Sequence, residues 1–197
     1  RIFCTVTAAY EFLPKLIEQF SAQHPHVELK IITGDAAQAL EAIDADRVDI
    51  AIAALKDGQS SRYFFQSLQE VPLKIIGPND NSEVSLMCQK PNINWSKLPI
   101  VMPESGPIRF KFERWLKAMN IKPTIYSSVS GHEALVSMVA LGCGVSIAPQ
   151  LVIDASPVKN KVIEITTHIK PEPFDLGVCC LKDKKHEAIV AAFLQSS

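Results

Sequence analysis

The chain has 197 residues, enough for one large domain or two small ones with real cores. Its 20 Lys and Arg against 21 Asp and Glu leave a formal charge of −1, so it carries no basic footprint for nucleic acid. The greasiest stretch, 134–153, is broken by glycines, serines and Pro149, and no basic-then-apolar leader opens the chain, so neither a bilayer span nor an export signal is expected. Arg1 runs at once into a strand pattern, as in a trimmed or mature chain.

Arg1–Val6 reads as a strand, followed by a helix over 10–23 with Leu13, Leu16, Ile17 and Phe20 on one face and Pro14 near its start. His24-Pro25 stops it. A strand over 27–32, a helix over 36–46 capped by Asp35, and a strand over 48–53 complete a β-α-β-α-β opening, which implies a parallel sheet with helices on its faces. Further strand material lies at 64–69 and 71–77, and the polar turn formers of 78–82 mark a change of lobe. A second unit follows. It comprises a short helix over 95–98, a strand over 99–103, a helix from Ser105-Gly106-Pro107 to about Asn120 burying Phe112, Trp115, Leu116 and Met119, and a strand over 124–129.

Residues 131–149 read as a helix, a glycine stop and a buried strand ending at Pro149. Ser130 and Glu133 have the spacing of a capping box. Leu135, Met138, Val139 and Leu141 form the expected buried stripe, and Gly142 and Gly144 end the helix. After a loop over 154–161 come a strand over 162–167, a turn at 170–173, a strand over 174–181 and a helix over 186–194 with Ile189, Val190, Phe193 and Leu194 inward. The fold class is therefore α/β, with two Rossmann-like lobes: 1–75 plus 176–197, and 76–175. Two crossing strands join them, one near 75 and one near 175.

Five cysteines, an odd number with four in apolar runs, argue for a reducing compartment and against a disulfide frame. Cys179 and Cys180 point to opposite faces of a strand, and no Cys/His set has zinc spacing, so neither metal nor cofactor is expected. No nucleophile elbow, phosphate-binding Lys loop or zinc-protease motif occurs, and nothing pairs Asp49 with Glu104 as acid and base. An enzyme is not indicated.

Strand ends run into helix starts at Thr5-Val6-Thr7, Thr33-Gly34-Asp35, Glu104-Ser105-Gly106 and Ser130-Gly131-His132. In open parallel sheets ligands settle at the carboxyl ends of strands. Helix starts supply backbone N–H groups and partial positive charge. With the hydroxyls of Thr5, Thr7, Ser105 and Ser130, these four starts in one cleft suit a small carboxylic acid. Taken singly, each hydroxyl is explained by capping. Arg109, on the first turn of its helix, has the reach to meet a carboxylate with two hydrogen bonds, though a surface arginine needs no such role. A neutral His132 at a helix start donates one hydrogen bond, unless it is only an exposed turn residue.

The Leu13-Pro14 helix, the His24-Pro25 stop, Val48-Asp49-Ile-Ala-Ile52 and the Gly142-x-Gly144…Pro149 segment together resemble the effector-binding domain of LysR-type transcription regulators, over essentially the whole chain. Within that family, Thr5–Tyr10, Thr33–Ala37, Gly131–Val145 and Phe174–Cys179 resemble the IlvY-type activators of acetohydroxy acid isomeroreductase expression, with His132 as a mark of the subtype. The resemblance implies a periplasmic-binding-protein-like fold (type 2) in a cytoplasmic regulator. A winged helix-turn-helix would precede Arg1 and supply the only contact with DNA. It implies a carboxylate inducer between the lobes, acetolactate or acetohydroxybutyrate, controlling branched-chain amino-acid biosynthesis genes. Thr5 and Thr7 match common inducer contacts, and the helix starts at Ser105 and Gly131 line the other side. It also implies a homodimer through the first lobe, by the 10–23 helix and the 27–32 strand, assembling into a tetramer at full length, with no membrane partner. The rival from another class is a solute-binding protein of a transporter for a small organic anion.

Overall fold

The computed structural model describes residues 1–54 and 61–196. Cα packing divides the chain into two units, Arg1–Glu70 with Asp175–Ser197, and Val71–Phe174. Both boundaries fall at the ends of strands, because β4 (Tyr63–Val71) and β10 (Phe174–Leu181) each carry the chain across.

The first unit is built on a five-stranded sheet of order β2-β1-β3-β10-β4, with β1 at Ile2–Cys4, β2 at Ile31–Thr33 and β3 at Ile50–Ala53. β1 pairs in parallel with both β2 and β3, and β3 pairs antiparallel with β10. Where one helix is expected over 10–23 there are two, α1 (Val6–Glu11) and α2 (Leu13–Gln23). Pro14 is the cause: it has no N–H to return to the Tyr10 carbonyl, so the helix stops at Phe12 and restarts with proline in its first turn. Strand β2 is shorter than the expected 27–32, since its partner β1 offers only three residues and pairing begins with the Ile2 N–H donating to Lys30 O at 2.8 Å. The expected 36–46 helix opens with a 3₁₀ turn at Ala36–Gln38 and becomes α3 at Ala39–Asp44. Phe3, Ala42, Ile43, Val48, Ala51 and Cys179 close one core between α3 and the sheet. On α2, Phe20 packs on Phe193 of α8 (Ala188–Gln195) with ring centroids 5.4 Å apart. Ile189, expected inward on α8, is half exposed; Val190, Phe193 and Leu194 are buried.

The second unit pairs β5 (Leu73–Pro78) antiparallel with β8 (Ser146–Pro149) and β9 (Val162–Glu164), and β6 (Pro99–Pro103) in parallel with β7 (Thr124–Val129). Val145 joins the two sets, donating to Pro99 O and accepting from Val101 N, each at 2.9 Å. Two helices were not read from the sequence. α4 (Glu83–Cys88) is capped by Ser82, whose Oγ accepts from Ser85 N, and α7 (Gln150–Ala155) starts directly after Pro149. α5 runs Gly106–Ala118 and ends in a left-handed Asn120 at φ 55°. α6 runs His132–Ala140. Its buried stripe is Leu135, Val136, Val139 and Ala140, while Leu141, expected inward, is 74% exposed. The helix ends one residue before Leu141, so the 3.6-residue phase that would have turned it inward is lost. Gly131 occupies the N-cap of α6, one residue beyond the Ser130 expected to open it. Ile76, Val136, Val139, Ala148, Val152 and Val162 make the core between α6 and the β5–β8–β9 sheet.

Candidate functional site

In the second unit, two helix starts lie side by side. Parallel pairing brings Pro103 opposite Val129, and Glu104 N–H donates to Val129 O at 2.9 Å, so β6 and β7 finish at the same level. Each then turns through a glycine of positive φ, Gly106 at 85° and Gly131 at 83°, into α5 and α6. Such backbone is open to glycine and strained for other residues. A Cβ on Gly131 would meet nothing within 4 Å, so the position is approachable and its glycine answers to conformation rather than to crowding.

Ser105 holds the N-cap of α5 without closing a hydrogen bond on the first turn, so its hydroxyl is not spent on capping. α5 has no acid in its first turn, whereas α6 carries Glu133. Of the two starts, that of α5 therefore presents the more positive field to an anion. Ser130 is exposed, one residue ahead of the α6 cap, and His132 is half-buried at the first helical position.

Arg109 has a carboxylate partner within the chain. Its Nε donates to Glu113 Oε1 at 2.8 Å, and Nη1 donates to Pro103 O and Glu104 O, each at 3.1 Å. The guanidinium thus ties the first turn of α5 to the end of β6. The Arg109–Glu113 spacing of four was legible as a helical ion pair. The two carbonyl contacts were not, since they depend on the path of the turn.

In the first unit, Thr5 caps α1, its Oγ accepting from Ala8 N at 3.2 Å and keeping a proton to donate. Gly34 N–H donates to Cys4 O at 3.1 Å, which sets the Thr33–Asp35 turn beside the end of β1. There Asp35 accepts from Ala37 N at 2.8 Å and caps the following 3₁₀ turn. Thr7 is 3% exposed, deeper than Thr5 on the same short helix. The structure therefore groups Thr5 and Thr7 in one unit and Ser105, Gly106, Arg109, Ser130, Gly131 and His132 in the other.

Asp49, Cys88 and Cys179 are accounted for by the fold. Asp49 receives the Arg1 guanidinium at 2.7 and 3.1 Å, and this pairing holds its carboxyl well below the usual range. Burial pushes the Cys179 thiol up to about 12 and that of Cys88 to about 11, so neither supplies a thiolate near neutrality. Among the described residues no group of three His, Cys, Asp or Glu could hold a metal ion, and no helix is long and apolar enough to cross a membrane.

The chain is 40% identical to the HTH-type transcriptional regulator IlvY of Escherichia coli (strain K12) over 98% of its length, and 37% identical to the transcriptional activator IlvY of Haemophilus influenzae over 98%. It spans 66% of the length of each of these relatives. Among solved structures it resembles the effector binding domain of QuiR in complex with shikimate, with a TM-score of 0.81 at 16% identity, covering 99% of this chain and 92% of that one. It also resembles the regulatory domain of CcmR from Synechocystis PCC6803 in complex with 2-PG, with a TM-score of 0.79 at 19% identity, covering 99% and 93%. These likenesses establish the fold as α/β and periplasmic-binding-protein-like, type 2. The profile of the LysR substrate binding domain matches residues 1–197, and with every residue inside that match the chain belongs to the LysR substrate binding domain family.

Proposed function

We propose that this domain senses the effector of an IlvY-type transcription regulator. The effector is a small 2-hydroxy-3-keto acid, acetolactate or acetohydroxybutyrate, and the output is control of branched-chain amino-acid biosynthesis genes. The observation that carries the reading is the pair of glycine-turned helix starts at the common end of β6 and β7. An acid of this class offers one carboxylate, one hydroxyl and one ketone, and it needs several donors and few acceptors. The starts of α5 and α6 supply backbone N–H donors in a favourable field. The hydroxyls of Ser105 and Ser130 and the ring of His132 stand beside them, and Thr5 and Thr7 are the contacts assigned to the first unit. Arg109 serves through the turn that it holds. The shikimate of the QuiR domain is itself a hydroxylated carboxylic acid, the same chemical class, and the likeness to the IlvY activators supports acetolactate or acetohydroxybutyrate as the acid.

In the whole protein, we assign DNA contact to a winged helix-turn-helix preceding Arg1, a cytoplasmic location, and a homodimer through the first unit that assembles into a tetramer. Strand β2 supports that dimer surface: it is an edge of its sheet, with Ile31 43% exposed.

Isothermal titration with acetolactate tests the reading. The parent domain should give saturable heat, and Thr7→Ala should bind about tenfold more weakly, the effect of one lost buried hydrogen bond (~1.4 kcal/mol). Absence of heat with the parent, or an unchanged Thr7→Ala, rejects it.

A further inference from the structure

The return path of the chain is fastened to α5. Between β9 and β10 the residues 165–173 form no regular structure, yet three side chains of α5 hold them. Trp115 Nε1 donates to Ile169 O at 2.7 Å, and Thr167 Oγ1 donates to the same carbonyl at 2.7 Å. Arg114 reaches Glu172 Oε1 at 3.0 Å, and Lys111 reaches Glu172 Oε2 at 3.8 Å. Trp115 is buried, with Trp95 edge-on at 5.4 Å and Phe112 stacked at 5.9 Å, so its N–H is a fixed anchor. Glu172 lies between Pro171 and Pro173, whose rings lock the backbone torsions on both sides. The next residue, Phe174, is buried and opens β10, the strand by which the chain re-enters the first unit.

We propose that residues 166–173 are a strap coupling α5 to β10, so that occupancy at the first turn of α5 is passed to the return strand. This rests on the effector reading above. Arg109 fastens one end of α5 to β6, and Lys111, Arg114 and Trp115 fasten the following turns to the strap. A bonded helix moves as one body, so a shift at Ser105–Arg109 is carried to Ile169 and Glu172. Pro171 and Pro173 leave little slack between Ile169 and Phe174. A ligand biases such a coupling only if it binds one position of α5 better than another.

The test is hydrogen exchange on the parent and on Glu172→Gln, with and without acetolactate, read on peptides covering 104–112 and 165–175. The substitution removes an exposed ion-pair partner, which contributes little to stability, so the fold is kept. In the parent, acetolactate should slow exchange at both peptides, by about fivefold at the strap, the lower end of ordinary coupling between sites. In Glu172→Gln, protection at 104–112 should persist while that at 165–175 falls toward the unliganded rate. Protection at 104–112 without any at the strap, or equal strap protection in the variant, overturns the coupling and leaves the effector reading standing. No protection anywhere in the parent overturns both.

Discussion

Gly144 lies against the Pro99 carbonyl, and a Cβ there would overlap the oxygen that accepts from Val145 N. With its φ at 156°, the position is closed to side chains by both crowding and backbone strain. Gly144→Ala should therefore lower unfolding free energy by about 1–3 kcal/mol in urea titration, through the contact that joins β6 to β8. Gly131 is the contrasting case, strained for other residues but not crowded. Gly131→Ala should leave the fold in place and weaken acetolactate binding, because the amide at the α6 start is displaced. Cys179 ties burial to alkaline stability. Its thiol is held up to about 12 from an ordinary 9.0, so the folded state resists its ionisation. A raised folded value means full stability below the unfolded value and loss as pH rises. The urea midpoint should fall between about pH 9 and about pH 12, and Cys179→Ser should reduce that slope.

Among the elements, the sequence reading of α6 has Leu135 and Val139 on the buried face but carries the stripe one residue too far, to Leu141. Periodicity alone nominates Leu141, yet the helix stops at Ala140 and leaves that side chain in solvent, while Val136 and Ala140 complete the stripe. Leu135→Ala should cost about 2–5 kcal/mol, as expected where a fully buried side chain leaves a cavity. Leu141→Ala should fall within about 0.5 kcal/mol of the parent. Equal losses would place Leu141 in a core. The divided α1–α2 helix makes the same point locally. Pro14 announced a helix start, but whether the preceding turn joined it depended on a hydrogen bond that proline cannot donate. α4 escaped notice because six residues are too few to show a period, although Ser82 had the chemistry of a cap.

At the scale of the molecule, the proposed dimer makes a direct prediction. Ile31→Lys puts a charge on the exposed edge of β2, a device that blocks strand-edge association. Sedimentation equilibrium should then show monomer where the parent dimerises, and an unchanged dimer would move the interface elsewhere. The α/β class, the family, the four helix starts and most of the element order were legible in the residues, while α4 and α7 were not. Strand patterns, glycine and proline stops and capping side chains are local, and each is written within a few positions. The partners beyond one helix were not legible. Arg109 turned toward the carbonyls of Pro103 and Glu104, Glu172 became the seat of Lys111 and Arg114, and Trp115 found Ile169, each set by segments that folding brings together. Sequence by itself determined most of the elements and their order, because backbone propensity and hydrophobic period act over a turn or two. Only the tertiary structure decided which polar groups remain to meet a ligand, because hydrogen bonds reach about 3 Å and distant residues must first be packed that close.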